Sequence, residues 1–357
     1  MPQKNILVAA LDWGLGHATR LIPVIHLLKA KQCNIILAAS GSALSYWQTV
    51  FPNEKIIALP AYSPVYSGNM NVSMMLQTPK FLKAIYAENA ALKKIVKQHH
   101  IHGIISDNRY GFYHAEIPSV IITHQIFIQT PTTLSFLKPL LKKINFQFLK
   151  QFHFCWIPDV QHHENLSGAL SHGEKIPEHC RYVGLLSRFQ QEEKLPAAID
   201  VLLLLSGPEP QRSVLEEKLL KQLKNTHQKI ALVRGTTKPL TLQNILSEKI
   251  KVIDIATTEI LQELLSRSAV VVARSGYSTV MDLVATKKPA VLIPTPGQTE
   301  QEYLANYLQL KQWFVSAPQN NFSLEKLIPQ TLKSKPVMIE SQPYLLHNAV
   351  EEFLATI

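Results

Sequence analysis

Short runs of aliphatic and β-branched residues recur along this chain with helically spaced segments between them, and few folds accept that alternation. The runs Asn5–Ala10, Asn34–Ala39, Lys55–Leu59, Gly103–Ser106, Ser119–Thr123 and Phe154–Ile157 read as strands in the first half. Val201–Leu205, Lys229–Val233, Lys251–Ile253, Ala269–Ala273 and Ala290–Ile293 repeat the rhythm in the second. Most are apolar nearly throughout, as a strand reads when helices cover both faces of a parallel sheet. Helical patterns lie near Ala18–Lys31, Ser42–Val50, Pro79–His99 and Leu134–Phe152, with a last one near Tyr344–Ala355. The order predicts an α/β class, and 357 residues at roughly 150 per domain predict two domains. The join is expected near Tyr182 to Phe189 (YVGLLSRF), between a polar, irregular region and the new strand pattern at Val201.

Composition narrows the classes further. A hydrophobic fraction of 46% with 17% charged residues describes a globular chain with ample core. The three cysteines, Cys33, Cys155 and Cys180, form no CxxC pair and read as reduced thiols, so neither a disulfide frame nor a zinc site is expected. The apolar run Ile6 to Leu11 is too short for a signal-peptide core, and the uncharged stretch Ile117 to Leu137 is interrupted by Pro118, Gln125, Gln129 and Pro131. A soluble, cytoplasmic protein is expected, at most peripheral on the inner face of a membrane. A net charge of +10 calls for an anionic partner: nucleic acid, membrane surface or phosphorylated substrate. The charge is spread along the chain and no aromatic-basic motif appears, which argues against nucleic acid.

The densest chemistry lies between Arg274 and Asn306, ARSGYSTVMDLVATKKPAVLIPTPGQTEQEYLAN. The buried run Ala269–Ala273 breaks at Arg274-Ser275-Gly276, where a glycine lets backbone approach a ligand without a Cβ. Ser278 or Thr279 can cap a helix whose Val280, Leu283 and Val284 share one apolar face. A polar turn at a helix N-terminus favours an anion. Thr279 and Asp282, three apart, share a face, and an ionised Asp accepts two O–H donors such as the vicinal hydroxyls of a ribose. A second run, Ala290–Ile293, ends in Pro294-Thr295-Pro296-Gly297 and then in Gln298, Thr299, Glu300, Gln301 and Glu302. Open α/β sheets bind ligands at that end of their strands.

Taken in order, these residues resemble the C-terminal domain of MurG-like glycosyltransferases, a family of GT-B fold with two Rossmann-like parallel-sheet domains facing a cleft. The family includes the N-acetylglucosaminyltransferase of peptidoglycan lipid synthesis. The resemblance implies an N-terminal acceptor domain over 1–186, joined by a returning helix at 341–357, and a donor domain over 187–340. It implies that Ser275, Gly276 and Thr279 meet a nucleotide diphosphate, that Asp282 holds the ribose, and that Gln301 with Glu302 reads the sugar, with Arg274 and Gln298 also on the donor side. The family usually carries Glu at the ribose position and Gln-Gln in the sugar pair. Asp282 and Glu302 depart from that pattern, and the second departure bears on which sugar is taken.

The first strand leads into LDWGLGHATR, a strand, Gly-x-Gly and helix shared with dinucleotide-binding folds. The second strand ends Ile36-Leu37-Ala38-Ala39-Ser40-Gly41 with no acid for a ribose, which disfavours a nicotinamide enzyme. The MurG-like reading instead makes Gly14, Gly16 and Thr19 an acceptor-side anion cradle and stands His17 in the cleft as catalytic base. An acceptor hydroxyl must lose its proton as it attacks the anomeric carbon, and imidazole suits that task near neutral pH. Asp107, in ISDNRYG, is the natural orienting acid for His17; capping a helix or binding Arg109 are its other uses. His124 and Gln125 end the next strand where the family carries a His-Glu-Gln-Asn segment near the acceptor, and part of that pattern is present.

Three further segments carry expectations. Val201–Leu205 runs into SGPEPQRS, where Ser213 and Glu216 fit a capping box; the resemblance implies donor phosphates at this loop, met here by Ser206, Gly207 and Arg212. Arg188, in the linker, matches a family arginine that reaches the donor diphosphate, and it is equally an ordinary linker residue. Arg234-Gly235-Thr236 either lines the donor pocket or makes a simple turn. From Pro131 to Pro158 there is no acidic residue, and lysines interleave with apolar residues over 134–152. That mixture suits either an interfacial helix on anionic lipid or a core-packed helix with a solvated basic edge. Metal is not implied, since no Asp-x-Asp motif occurs, and no cofactor beyond the nucleotide-sugar is expected. The expectation is an inverting glycosyltransferase using a nucleoside-diphosphate sugar, with UDP the expected nucleotide. Its rivals are a UDP-sugar epimerase of the same fold and a non-enzymatic basic module for lipid or nucleic acid.

Overall fold

The apolar runs pair in parallel into two sheets. The computed structural model describes residues 3–60, 78–130, 132–189, 197–224, 226–236, 248–334, 337, 339 and 342–357. In the first sheet β1 (Asn5–Ala10), β2 (Asn34–Ala39), β3 (Lys55–Ala58), β4 (Gly103–Asp107), β5 (Ser119–Ile122), β6 (Phe154–Ile157) and β7 (Cys180–Tyr182) lie in the order 3-2-1-4-5-6-7. In the second, β8 (Ile199–Leu204), β9 (Ile230–Val233), β10 (Ile250–Ile253), β11 (Ser268–Ala273), β12 (Ala290–Leu292) and β13 (Val315–Ser316) lie in the order 10-9-8-11-12-13. Each sheet is wound outward from its first strand in both directions. The strand order therefore reverses between β1 and β4 in one and between β8 and β11 in the other, and α/β folds place ligands at such switch points.

Two compact units result: Met1–Ser187 with Glu340–Ile357, and Arg188–Ile339. The first unit's helices are α1 (Gly16–Arg20), α2 (Ile22–Ala30), α3 (Gly41–Val50), α4 (Thr78–His99) and α5 (Lys138–Leu149). The second unit's are α6 (Gln211–Leu223), α7 (Thr258–Arg267), α8 (Tyr277–Ala285), α9 (Thr299–Leu310) and α10 (Leu324–Lys333). Last comes α11 (Pro343–Leu354), which belongs to the first unit. Its Phe353 is fully buried and meets the Trp156 ring edge-on at 6.2 Å. Glu351 pairs with Lys31 at 2.6 Å and Glu352 with Arg181 at 3.3 Å. A Cβ on Gly103 would lie 2.5 Å from Phe353 Cζ, so glycine at the start of β4 makes room for the helix.

Several boundaries differ from the sequence reading. The single helix expected over Ala18–Lys31 is two, α1 and α2, meeting at Leu21. Pro23 has no N–H for the carbonyl four residues back, so the ladder restarts there. The helix expected over Leu134–Phe152 is a 3-10 segment, Thr132–Leu137, followed by α5 with Pro139 in its first turn. The capping box expected at Ser213 and Glu216 does not form, because α6 already begins at Gln211 behind Pro210. Glu209 takes the capping role, its carboxylate accepting from Ser213 N at 3.2 Å. Nor does Ser278 or Thr279 cap α8: the N-cap is Gly276, extended at φ −68°, ψ 139°, which leaves both residues inside the first turn.

Candidate functional site

The first unit gathers polar groups at its switch point. β1 and β4 pair in register with Ala10 opposite Asp107, so the helix that follows β1 starts beside the end of β4. Gly14, at φ +90°, turns the chain there in a conformation that L side chains rarely adopt. α1 is held against α3 by Trp47, whose indole N–H donates to Ala18 O at 3.2 Å. His17 and Arg20, three residues apart, consequently face the β4 end together.

Their common partner is Asp107, fully buried. His17 Nδ1 lies 2.7 Å from Asp107 Oδ1. Arg20 Nε donates to Oδ2, and Arg20 Nη2 to Oδ1 at 2.5 Å, a two-pronged grip. Arg20 also reaches His124 Nδ1 through Nη1 and His17 Nδ1 through Nη2, each at 3.2 Å. Burial alone would raise the Asp107 carboxyl, but the charges of Arg20 and then His17 outweigh it and hold the group below the usual carboxylate range. His17 keeps a side-chain exposure of 15%, while Arg20 and His124 are each 2% exposed. Asp107 thus engages His17 and Arg20 and caps no helix, while Arg109 pairs with the buried Glu88 at 3.2 Å.

The other acceptor-side candidates divide. Gly14 is exposed and Gly16 half-buried, whereas Thr19 is buried and its hydroxyl donates back to Gly16 O at 3.1 Å. With only five residues in α1 and that hydroxyl turned inward, the expected anion cradle reduces to backbone around Gly14 and Gly16. Gln125 is half-buried, its N–H donating to Thr123 Oγ1 at 3.1 Å and its carbonyl accepting from Asn145 Nδ2 at 3.0 Å.

In the second unit three loops leave adjacent strand ends, those of β8, β11 and β12. Ser206 and Gly207 are exposed, with Gly207 at φ +103°. Ser275 is fully buried and donates to Gln301 O at 2.8 Å, tying the β11 loop to α9. Gly276 opens α8 with no side-chain cap, and Thr279 and Asp282 stand half-buried along the same helix. Gln301 Oε1 accepts from Thr295 N at 2.9 Å, Gln301 Nε2 donates to Gln298 Oε1, and Glu302 Oε1 accepts from Gly297 N at 2.8 Å. Gln301 and Glu302, expected to read a sugar, therefore brace the Pro294–Gly297 loop, with Gln298 bonded to Gln301.

The arginines of this half-site are more deeply committed than the sequence suggests. Arg212 is buried, bonding Glu209 Oε1 at 2.8 Å and Glu216 Oε2 at 3.2 Å. Arg234 is buried on Glu216 Oε1 at 2.5 Å and Asp254 Oδ1 at 2.7 Å. Both therefore sit inside a carboxylate network built on the two oxygens of Glu216. Arg188 lies over the Phe189 ring at 4.7 Å and reaches Thr258 Oγ1 at 3.4 Å, at the start of α7. Arg274, 1% exposed, donates to the carbonyls of Ile293, Pro294 and Gln211 and to Gln319 Oε1, so it fastens three loops at once. Burial lowers its pKa to about 10, still charged near neutral pH, and its cation faces neutral oxygens in these bonds.

Two residues of these sites escape the sequence reading. Arg20 had an available signal, its i,i+3 spacing from His17. Thr295 had none: it is fully buried, its hydroxyl lacks a partner among the described residues, and it lies 3.8 Å from where a Gly207 Cβ would stand. Among the described residues no group of three or more His, Cys, Asp or Glu side chains is arranged to hold a metal ion.

Comparison with known proteins bears on the domain and the fold. Residues 210–340 match the glycosyltransferase family 28 C-terminal domain. A 59-residue stretch is 46% identical to the UDP-N-acetylglucosamine–N-acetylmuramyl-(pentapeptide) pyrophosphoryl-undecaprenol N-acetylglucosamine transferase of Methylorubrum extorquens, covering 16% of this chain and 16% of that relative. The fold as a whole matches MurG of Acinetobacter baumannii, with TM-score 0.61 and 15% identity over 99% of this chain and 100% of that one. It matches the calicheamicin glycosyltransferase CalG4 with TM-score 0.67 and 13% identity over 100% and 99% of the two chains. Residues 210–340 are thus similar to that family, and the two sheets share the fold of these glycosyltransferases.

Proposed function

We propose that this chain, whose residues 210–340 carry a glycosyltransferase family 28 C-terminal domain, moves a sugar from a UDP-sugar to an acceptor hydroxyl with inversion at the anomeric carbon. The observation that carries the reading is the pair of switch points. One presents backbone turns and a helix start fit for a diphosphate, the other a histidine–aspartate pair fit for a proton.

On the donor side, the N–H groups that open α8 and the turn at Gly207 receive the diphosphate, and the Thr295 hydroxyl supplies a further donor. The buried Arg274 cation adds a positive field without moving. Asp282 accepts both ribose hydroxyls, and Gln298, Gln301 and Glu302 meet the sugar. Arg188, half-buried and within 3.4 Å of Thr258 Oγ1 at the α7 start, adds a further cation. On the acceptor side, the hydroxyl oxygen forms the new bond to the anomeric carbon while its proton passes to His17 Nε2. The old carbon–oxygen bond breaks and its electron pair leaves on UDP, stabilised by those dipoles and cations. Gly14, Gly16, His124 and Gln125 border the acceptor. The acceptor's carrier is proposed to be an anionic membrane surface met through 134–152.

Two variants test the assignment. Asp282→Ala is expected to weaken UDP affinity roughly 10- to 100-fold, the loss of two hydrogen bonds to a charged group. His17→Ala is expected to leave UDP affinity unchanged and to lower kcat about 10²- to 10⁴-fold. Calorimetric titration with UDP and a transfer assay read the two out, and unaltered UDP affinity in Asp282→Ala removes the donor assignment. Conversion of a UDP-sugar with no acceptor present would instead identify an epimerase.

A further inference from the structure

The grip of Arg20 on Asp107 does more than fill a buried site. A histidine paired with an otherwise unpaired buried carboxylate is drawn toward the imidazolium form, because the proton neutralises the lone anion. Here Arg20 already supplies that counter-charge, from both oxygens of Asp107 and from 3.2 Å off His17 Nδ1. An ionised Asp107 only accepts, so at 2.7 Å His17 Nδ1 must carry the hydrogen, which puts the lone pair on Nε2.

We propose that Arg20 is the positioning residue for the proposed base: by forking Asp107 it fixes that carboxylate as a balanced anion and holds His17 as the neutral Nδ1–H tautomer that accepts a proton at Nε2. The inference rests on the transferase reading for its purpose, though not for its chemistry. Among the described residues, the titratable groups on the elements packed against the cluster are few. Asp107 comes from the β4 end and His124, on Arg20 Nη1, follows β5. α3, packed on α1, carries Tyr46 as its titratable side chain, and the nearby Asp12 is taken up by Ser42, at 3.1 Å from the N–H and 2.7 Å from the hydroxyl. α2 brings His26, edge-on to Phe51, and Lys29, paired with Glu54.

The test compares the wild-type chain with Arg20→Gln and Arg20→Lys. Nitrogen-15 spectra of the histidine rings at pH 7 are expected to show His17 as the Nδ1–H tautomer in the wild type and as imidazolium in Arg20→Gln, with Arg20→Lys between them. The acid limb of the pH–kcat profile is expected to move up by about one pH unit in Arg20→Gln, a roughly tenfold loss of rate on that limb, recovered at higher pH with KM for the UDP-sugar unchanged. A merely structural role for Arg20 lowers the rate at every pH and leaves the limb in place. Identical His17 spectra in wild type and folded Arg20→Gln overturn the proposal. If Arg20→Gln does not fold, Arg20→Lys decides by the same spectra, and a wild-type pattern overturns it. A wild type that transfers no sugar removes the transferase reading, while the ring spectra still decide on Arg20.

Discussion

At the scale of single residues, Asp107 sets the behaviour of the first unit. It is buried between Arg20 and His17, and its carboxyl is held below the usual range in the folded chain. A carboxylate whose folded pKa lies below its unfolded value stabilises the fold above about pH 4, and that contribution is lost as pH falls through the folded value. Asp107→Asn also leaves the Arg20 cation without its partner, at a cost of about 3–5 kcal/mol near pH 7. Urea unfolding at pH 7 and again below pH 4 is expected to show a large gap between wild type and variant that narrows in acid; an equal gap at both removes the linkage. At this scale His17 and Asp107 were legible in the sequence, since a glycine turn and a strand end advertise them. Arg20 was passed over because an arginine in a helix ordinarily reads as a solvated charge, and only the register of β1 on β4 turns it inward. Arg212, expected at the donor phosphates, and Arg234, expected in the donor pocket or in a simple turn, together bond the two oxygens of Glu216, a partner that no local pattern announces.

Among the elements, α5 and the 3-10 segment before it carry a distinct surface. Phe136, Leu140 and Ile144 fall four apart and are exposed at 71%, 54% and 43%, while Asn145 and Leu149 are buried on the opposite side. Lys138, Lys143 and Lys150 are exposed alongside, and Lys142 pairs with Glu174. One face of this stretch packs in the core, and the outer edge is apolar as well as basic. No helix among the described residues is long and apolar enough to cross a membrane. Replacing Leu140 and Ile144 together by Asp is expected to leave stability within about 0.5 kcal/mol per site, as surface changes do, and to reduce binding to phosphatidylserine vesicles several-fold. Sedimentation with such vesicles checks it, and undiminished binding excludes this stripe. Strands β1, β2 and β6 were legible to the residue because an apolar run between polar breaks has no other use. β7 and β13 were not, since strands of three and two residues present too little pattern to detect. The helix boundaries missed at Leu21 and Leu137 both lie beside a proline, whose cost to the ladder outweighed the continuing apolar spacing.

For the whole molecule, the two-sheet α/β plan follows from the alternation of runs, while the membership of α11 in the first unit is a matter of packing that no local signal carries. The second unit, by contrast, draws all six strands from its own segment, Arg188–Ile339. That segment produced alone is expected to unfold cooperatively and to bind UDP with an affinity close to that of the full chain. Circular dichroism melting and calorimetry check both, and an unfolded fragment would show that its stability depends on the rest of the chain. The placement of α11 also governs the order of events during synthesis. The ribosome delivers β1 through β7 first, yet the helix that covers Trp156 and fills the space at Gly103 emerges only after the whole second unit has been made. At about 5–20 residues per second that is a wait of roughly ten to thirty seconds. The part of the protein made first is therefore the part finished last, and while it waits its uncovered apolar face is the natural client for chaperones.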